Sequence, residues 1–391
     1  MAVQASADAN VRFPVDLSFT AAEQAFAADV RGWLAANLEL PPAFASHDEE
    51  IAWGRRWQAK LAADRWVGIH WPSAYGGRSA TPVEVALYNV EYARSRAPQP
   101  VNRVGINLAG PTLLAHGTDE QKARWLPSIL DASDMWCQLF SEPGAGSDLA
   151  GLSTKAVPTE GGWLLSGQKV WTSYAAFARW GICLARTDPD AAKHRGISYL
   201  VVDMQAAGID IRPLTQITGE AEFNEVFLDE VFVPTEHLVG GLNLGWTVAN
   251  TTLAHERGTT FPFKEQVVHE GYLDELYALA ATSGALDDVD VADALAQAFV
   301  ELRVLRLHNW RTLSRLGRGI EPGPESSIVK LSWSDMTQHL SAAALEVLGP
   351  AASLTGKWQR QWLWSKAASI AGGTSEVQRT IIGERLLSLP R

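Results

Sequence analysis

Apolar and polar residues alternate along this chain with two different periods, and the period changes twice. Over roughly the first 135 residues, apolar positions recur every three or four residues, as in amphipathic helices. The stretches 21–38, 51–66 and 119–130 show this spacing, and Thr20 is a candidate N-cap for the first of them. WPSAYGG (71–77) interrupts the pattern with a proline and a glycine pair. This part of the chain is predicted to be helical.

From about residue 136 the pattern changes to short runs that are rich in β-branched and aromatic residues and are separated by Gly, Pro and Asp. The runs are MWCQLFSE, GWLLSGQKVWTSY, WGICLART, GISYLVVDM and FNEVFLDEVFVP. Such runs at turn-bounded intervals predict the strands of a small β-barrel or sandwich. Gly161 and Gly162 are flanked by runs of this kind and predict a hairpin turn.

Helical spacing returns after about residue 240 and continues to the end of the chain, with a loop predicted at RLGRGIEPGPES (315–326) from its glycine and proline content. The order is therefore helical, then β, then helical. We expect a mainly α protein with a central β domain, divided into an N-terminal helical domain (1–135), a middle β domain (136–239) and a C-terminal helical bundle (240–391).

Composition narrows the function classes. The chain has 391 residues, of which 47% are hydrophobic, and a net charge of −11 without a basic stripe, which disfavours nucleic-acid binding. Cys137 and Cys183 are too few for a disulfide framework and do not have metal-ligand spacing. No apolar run reaches about 18 residues, and the first residues lack signal-peptide features. We expect a cytoplasmic protein without a metal or a membrane segment.

Two stretches of the β region are candidates for binding a cofactor. The glycines of SEPGAGSD (141–148) allow the backbone to approach a ligand closely and to present N–H groups to it. In GQKVWTSY (167–174), Trp171 and Ser173 are two positions apart and share one strand face, where the indole can stack on a planar cofactor. An ordinary turn and an ordinary core tryptophan are the alternatives.

A third stretch, TVANTTLAHERG (247–258), places a carboxylate on an apolar helix face. That face contains Val248, Ala249, Thr252, Leu253 and Glu256. Burial raises the pKa of a carboxyl group, as a general base working near neutrality requires. The alternative is a glutamate at the rim of the face, paired with Arg257 or another cation.

A fourth stretch, AGGTSEVQRTIIGERL (371–386), has two glycines before a predicted helix. Ser375 and Gln378 match a capping box, which predicts that the helix begins there. Gly372 and Gly373 would leave N–H donors unobstructed for a carbonyl oxygen or a phosphate. A plain loop-to-helix junction is the alternative.

Together and in this order, these stretches resemble the flavin-dependent acyl-CoA dehydrogenase family, nearly from end to end. WPSAYGG and GTDEQKARWLP are similar to its N-terminal landmarks, MWCQLFSEPGAGSD to its first signature, GQKVWTSYAAFARWGICLART and KHRGISYLVV to its flavin-contacting region, and AGGTSEVQRTIIGER to its C-terminal signature. The resemblance implies an N-terminal helical domain, a middle β domain and a C-terminal four-helix bundle.

The resemblance also implies a reaction, with FAD as cofactor and an acyl-CoA thioester as substrate. In the family, a carboxylate removes the α-proton while the β-hydrogen leaves as hydride to flavin N5. A flavin ribityl hydroxyl and the N–H at the position of Gly372 bind the thioester carbonyl and stabilise the developing enolate. Gly372 and Gly373 are then expected to contact the substrate.

The catalytic base implied by the resemblance is Glu256. Many members carry the catalytic glutamate at the position that is Gly372 here. A smaller subset, including isovaleryl- and long-chain-type enzymes, carries it on a bundle helix in a Glu-Arg pair, which Glu256-Arg257 matches. Arg257 is then expected near the CoA chain, with a structural role as the alternative.

Nine residues are expected to contact FAD by the same resemblance. They are Phe140, Ser141, Gly146, Ser147, Trp171, Ser173, Gly349, Thr374 and Glu376. Ser147 is also expected near the CoA end of the substrate, and Ser173 near flavin N5 and O4. Thr374 and Glu376 are expected at the adenine end, with a neighbouring subunit as an alternative location for that FAD.

The chain departs from the family pattern at three places. The usual Arg-Phe-Gly segment is not visible between Phe261 and Leu302, Pro350 replaces a flavin-contacting glycine in EVLGP (346–350), and Glu376 replaces a common glutamine. In these points the chain resembles a bacterial branch that acts on steroid side chains and other bulky acyl groups, in which some members form heterotetramers with degenerate partners.

The partners implied are an electron-transfer flavoprotein as electron acceptor and further copies of the chain in a tetramer or dimer, with a hetero-oligomer as the alternative. Two other functions stay open at this point. One is a non-catalytic structural subunit of a heteromeric acyl-CoA dehydrogenase, and the other is an acyl-CoA oxidase-like flavoenzyme.

Overall fold

The computed structural model describes residues 19–256, 260–320 and 323–390, and for residue 256 and residues 260–263 it describes the backbone alone. Arg257 therefore lies outside the described residues, as does the side chain of Glu256. None of the described helices is both long and apolar enough to cross a lipid bilayer.

Five α-helices precede the first strand in the part of the chain that the structure describes, which agrees with the helical region predicted there. They are α1 (Ala21–Asn37), α2 (His47–Ala63), α3 (Pro82–Arg94), α4 (Gly110–His116) and α5 (Asp119–Leu130). Thr20 caps α1 in a capping box, which confirms the predicted N-cap, and Thr81 and Thr118 cap α3 and α5 in the same way. A π-helical turn, Gly105–Ala109, leads directly into α4.

Eight strands form one mixed sheet in the middle of the chain. They are β1 (Trp136–Leu139), β2 (Lys155–Thr159), β3 (Gly162–Ser173), β4 (Trp180–Arg186), β5 (Ile197–Asp203), β6 (Ile209–Leu214), β7 (Phe223–Pro234) and β8 (Leu238–Val239). The hydrogen-bonded order is β6-β7-β3-β2-β4-β5-β8, and β1 runs parallel beside β4. Strands β2 and β3 form the predicted hairpin, which turns at Gly161 with φ +75°.

Six α-helices follow the sheet within the described residues. They are α6 (Gly245–Glu256), α7 (Thr260–Ser283), α8 (Val289–Leu316), α9 (Ser326–Leu348), α10 (Lys357–Ala368) and α11 (Ser375–Ile381). Helices α7 to α10 enclose an apolar core in which Leu276, Leu295 and Met336 have no exposed surface. The predicted loop at 315–326 agrees with the end of α8 and the start of α9, although residues 321 and 322 lie outside the described part.

Helix α6 packs on the N-terminal helices and on the sheet. Val248 and Ala249 are buried in the same core as Leu113 of α4 and Ile182 of β4. The helix that ends at Glu256 is thus placed at the junction between the N-terminal helices and the sheet, and its core also contains Phe140 and Ala145 at the SEPGAGSD segment.

Candidate active site

The SEPGAGSD loop is attached to β3 by a buried ion pair between Glu142 and Lys169. The Lys169 Nζ atom lies 2.8 Å from Glu142 Oε1, and the two side chains are 0% and 4% exposed. Lys169 also donates to the carbonyl oxygens of Phe140 and Leu184. The Glu142 Oε2 atom accepts from the N–H and the hydroxyl of Ser153, at 2.6 and 2.7 Å. All three donors of the ammonium group therefore have acceptors.

These contacts stabilise the ionised form of the Glu142 carboxyl group. Burial alone raises the pKa of its carboxyl group, but the charge and hydrogen bond of Lys169, with hydrogen bonds from Thr154 and Ser153, outweigh burial and bring the pKa to about 2. The Glu142 carboxylate is therefore ionised at neutral pH, and it ties the loop to the strand.

Trp171 lies in a β-bulge. The pairing of β3 with β7 shifts between Lys169 and Thr172, and Trp171 has a left-handed backbone with φ +60°. All 16 tryptophans lie in the described part of the chain, and Trp171 is the exposed one among them, at 61%. Its ring meets that of Phe223 edge-on at 5.9 Å, and Phe223 is also the strand partner of half-buried Ser173.

The bulge interrupts the strand alternation that predicted a shared face for Trp171 and Ser173. Regular strand alternation predicted a shared face, but the extra residue interrupts alternation at this point. The two side chains are nevertheless brought together next to Phe223. An indole that is exposed beside a hydroxyl group can stack on a planar ring and leave the hydroxyl free to bond to its edge.

The loop residues differ in how much of each is available to a ligand. Gly146 and Ser147 are exposed, and a Cβ atom added to Gly146 would meet open space. Ser141 is half-buried and its carbonyl accepts from the N–H of Val170 at 2.9 Å. The ring of Phe140 is buried, edge-on to Tyr199 at 5.9 Å. Phe140 thus contributes its ring to the core, and its predicted contact with FAD stays a prediction.

The described side chains of the apolar face predicted for α6 are buried or half-buried. Val248, Ala249 and Thr252 are at most 1% exposed, and Leu253 packs against the same core. The hydroxyl of Thr252 lies 2.8 Å from that of Thr112 and 3.3 Å from that of Tyr199. Glu256 is the last residue of the helix, and its backbone lies one turn after this polar contact.

A histidine that the sequence did not single out lies near the end of α6. Burial, and to a smaller extent the charge of His255, lower the pKa of His70 to about 4. The ring of His70 is also edge-on to that of Trp71, at 6.5 Å. His70 is therefore neutral at physiological pH, one residue before the buried tryptophan of WPSAYGG. Its place directly before that stretch was the available signal in the sequence, but the spacing indicated no role for it.

Gly372 and Gly373 both have left-handed backbones, with φ +67° and +93°. Their carbonyl oxygens each accept from the side-chain amide of Gln378, at 3.1 Å. Within the described residues, no hydrogen bond uses their N–H groups. The carbonyl groups of these two half-buried glycines are therefore bonded to Gln378, and their N–H groups remain available to another acceptor.

The predicted capping box at this helix is wrong. Thr374, one residue earlier than predicted, is the N-cap of α11, and its hydroxyl accepts from the N–H of Val377 at 3.3 Å. Ser375 is buried inside the first turn, and Gln378 bonds to the glycine carbonyls instead of reaching back to the cap. Thr374 and Ser375 are both residue types that cap helices, and only Ser375 is followed by a glutamine three residues later, which made it the predicted cap.

The remaining predicted FAD contacts lie in the C-terminal part of the chain. Gly349 ends α9 with φ +54°, and exposed Glu376 stands in the first turn of α11. A backbone hydrogen bond, and then one from Thr374, lower the pKa of Glu376. In the described part of the chain, no hydrogen bond or ion pair joins these residues to the 140–147 or 171–173 segments. The structure therefore groups the predicted residues into two sets, one on the sheet and one on the bundle.

Three family models match consecutive parts of this chain. The N-terminal, middle and C-terminal domain models of acyl-CoA dehydrogenase match residues 20–133, 137–231 and 243–387. The chain belongs to the acyl-CoA dehydrogenase family. The matches confirm the order of helical, β and helical parts, and they confirm that the chain is an oxidoreductase of this family.

Individual relatives agree with this membership. IpdE1 of Mycobacterium tuberculosis, an acyl-CoA dehydrogenase, is 40% identical over 378 residues, which cover 94% of this chain and 97% of that protein. The ChsE4-ChsE5 complex from the same species is similar in structure, with TM-score 0.82 and 30% identity over 96% of this chain and 100% of that one. The Tcur3481-Tcur3483 steroid ACAD has TM-score 0.83 and 28% identity, again covering 96% and 100%.

Proposed function

We propose that this chain catalyses the α,β-dehydrogenation of an acyl-CoA thioester to the trans-2-enoyl-CoA, with Glu256 as the base and flavin N5 as the hydride acceptor. The observation that carries the proposal is the fixed position of α6. Thr252 holds this helix to Thr112 and Tyr199 one turn before Glu256. At position 372, where many members of the family carry the base, this chain has a glycine.

The residues around the bulge fit an isoalloxazine ring. The exposed indole of Trp171 offers a flat apolar surface beside the hydroxyl of Ser173, and Gly146 leaves open space on the adjoining loop. When bound, FAD supplies the hydride acceptor of the reaction. Trp171 would stack against the ring and Ser173 would bond to its edge, while Phe140, Ser141, Gly146 and Ser147 would line it.

The glycine pair is suited to the substrate carbonyl. The N–H groups of Gly372 and Gly373 would donate to the thioester oxygen, where negative charge grows as the α-proton leaves. That stabilisation makes the α C–H acidic enough for a carboxylate to remove the proton, which Glu256 accepts. Arg257 and Ser147 are assigned to the CoA portion of the substrate.

The bundle residues are assigned to the other end of the cofactor. In the described part of the chain, no hydrogen bond or ion pair joins Gly349, Thr374 or Glu376 to the sheet segments, which supports contact with the adenine end of an FAD bound by a neighbouring subunit. The enzyme would then work as a homo-oligomer, a tetramer or a dimer. An electron-transfer flavoprotein, which takes electrons from enzymes of this family, is the proposed electron acceptor.

The variant Glu256→Gln tests the base. It should keep bound FAD but reduce it with acyl-CoA at least about a hundredfold more slowly, the usual effect of removing a general base. Anaerobic bleaching of the yellow flavin measures the rate. Glu160→Gln, on the exposed β2–β3 turn, is the matched control and should reduce flavin at the wild-type rate. A Glu256→Gln protein that bleaches as fast as wild type would show that another group takes the proton.

The proposed substrate class is a bulky, steroid-derived acyl-CoA. The similarity to the Tcur3481-Tcur3483 steroid ACAD supports this class over linear fatty acyl-CoA. A panel of linear, branched and ring-bearing acyl-CoA thioesters, compared by kcat/KM, tests the assignment. A preference for linear chains would contradict it.

A second candidate is a non-catalytic subunit that completes the site of a different chain. Two observations favour it: Pro350 follows Gly349 at a position where the family has a glycine, and the solved relative ChsE4-ChsE5 is a complex of two proteins. The chain purified alone should be yellow if it is catalytic by itself. A colourless chain that becomes active when a partner protein is added would favour the second candidate.

A further inference from the structure

The ion pair between Glu142 and Lys169 has no part in the proposed proton and hydride transfers, yet each of its members lies inside a segment assigned to FAD. We propose that this pair is a positioning device, which sets the SEPGAGSD loop and the bulge at Trp171 in the arrangement that receives the cofactor. The inference rests on the proposed function, because that function assigns these two segments to the flavin.

The pair joins the two segments at adjacent residues. Lys169 is the last regularly paired residue before the bulge, and Glu142 follows Ser141 directly. The N–H of Val170 donates to the carbonyl of Ser141 at 2.9 Å, next to the ion pair at 2.8 Å. Two neighbouring links therefore fix both the distance and the rotation of the loop relative to the bulge.

The same carboxylate also closes the base of the loop. Glu142 stands at the start of the loop, and the groups that donate to it at the far end are Ser153 and the N–H of Thr154, at 2.6 to 3.0 Å. Residues 143–152 are thus enclosed between contacts that converge on one side chain. A ligand that binds this loop meets a backbone whose two ends are already held.

Stability alone does not explain the pair. Desolvating two charges is costly, and a buried ion pair is often no more stabilising than apolar residues of the same size. The pair instead fixes the orientation of the loop relative to β3, because the ammonium group of Lys169 donates to three fixed acceptors in Phe140, Glu142 and Leu184. The bulge needs such support, since Trp171 and Tyr174 both have left-handed backbones that a surrounding framework must hold.

Three variants test the inference: Lys169→Met, Glu142→Gln and the double variant. The matched control is Glu91→Gln on α3, since Glu91 is also buried, at 6%, and is paired with Arg31 at 2.9 Å. Each protein is measured for thermal unfolding, for the Kd of FAD by fluorescence titration, and, without FAD, for hydrogen exchange in residues 141–154.

The expected results separate positioning from folding. Lys169→Met should weaken FAD binding at least about tenfold, as expected when one charged hydrogen-bond partner is lost from a supporting position. It should also speed hydrogen exchange in residues 141–154 of the FAD-free protein. The double variant should regain part of the thermal stability lost in Lys169→Met, because no carboxylate is left buried without its partner. Its FAD Kd should stay weakened. Glu91→Gln should lower the unfolding temperature and leave the Kd within twofold.

The inference is overturned if the FAD Kd recovers together with thermal stability in the double variant, or if Glu91→Gln weakens FAD binding as much as Lys169→Met does. It is also overturned if loop exchange is unchanged in Lys169→Met. These outcomes leave the proposed function standing, because wild type would still bind FAD and bleach with acyl-CoA. A wild-type chain that binds no FAD would overturn both proposals.

Discussion

The hydroxyl oxygens of Thr252 and Thr112 lie 2.8 Å apart, and neither side chain has exposed surface. This contact ties α6 to α4, and the hydroxyl of Tyr199, 3.3 Å from that of Thr252, ties α6 to β5. Buried polar groups that lose a partner are destabilising, so α6 has one preferred rotation and one preferred height against its neighbours. The residue that ends this helix is Glu256, one turn later.

Replacing Thr252 with valine tests the importance of this contact. The shapes are nearly the same, but the hydroxyl is lost, and Tyr199 and Thr112 each lose a partner. We expect a loss of about 1–3 kcal/mol in the free energy of unfolding, from urea titration, and slower flavin reduction by acyl-CoA. Thr247→Val, on the exposed side of the same helix, should change neither quantity appreciably. Full activity in Thr252→Val would mean that the hydroxyl contact does not position α6.

The sequence predicted the helices and strands of this site better than the side-chain contacts between them. Helical spacing correctly placed Val248, Ala249 and Thr252 on the buried face of α6, because burial follows the apolar period. It could not show that Thr252 meets Thr112, 140 residues away, because periodicity describes one element at a time. The burial of Lys169 was not predicted for the same reason. A charged residue within a strand pattern indicates a solvent-facing position, and only the structure shows that Lys169 is paired with Glu142.

The bulge at Trp171 and the cap at Thr374 were missed for a different reason. Each depends on a shift of one residue, which leaves the overall apolar pattern unchanged. A bulge is not visible in the apolar pattern of its own strand, and Thr374 and Ser375 are adjacent residues of types that both cap helices. Strand alternation selected Trp171 and Ser173 together, and the family resemblance selected the same two residues. Their contact with FAD stays a prediction.

The position of the N-cap of α11 can be measured directly. Thr374→Ala removes the acceptor for the N–H of Val377 and should cost about 1 kcal/mol, typical of a lost N-cap. Thermal unfolding and hydrogen exchange in 375–381, both without FAD, provide the readout. Ser375→Ala keeps that cap and should have a smaller effect. A larger effect at Ser375 would reinstate the capping box predicted from the sequence.

The glycine pair gives a prediction about backbone strain. Gly373 has φ +93°, and a Cβ atom there would lie 2.6 Å from the amide nitrogen of Gln378. Gly373→Ala should therefore lower the free energy of unfolding by about 1–3 kcal/mol, since both the backbone and the contact are unfavourable. Gly144→Ala is the matched control, because its Cβ would meet open space at an ordinary φ. Equal stability of the two variants would contradict the left-handed conformation of Gly373.

His70 makes the stability depend on pH in a defined window. Its pKa in the folded protein is about 4, below the value near 6.5 of an unfolded histidine. As pH falls, the unfolded chain therefore binds this proton first. The stability that neutral His70 contributes is complete above about pH 6.5 and is lost progressively as the pH falls toward about 4, on the order of 3 kcal/mol in all.

The variant His70→Asn isolates this contribution, because the other histidines with lowered pKa values, His116, His237 and His308, are present in both proteins. The free energy of unfolding is measured by urea titration between pH 4 and 8 for wild type and variant. The difference in the free energy of unfolding between the two proteins should be constant above about pH 6.5. Below that pH it should change with the slope expected for about one proton taken up on unfolding. Parallel curves over the whole range would mean that His70 is protonated as readily in the folded protein as in the unfolded chain, and would contradict its burial as a neutral ring beside His255.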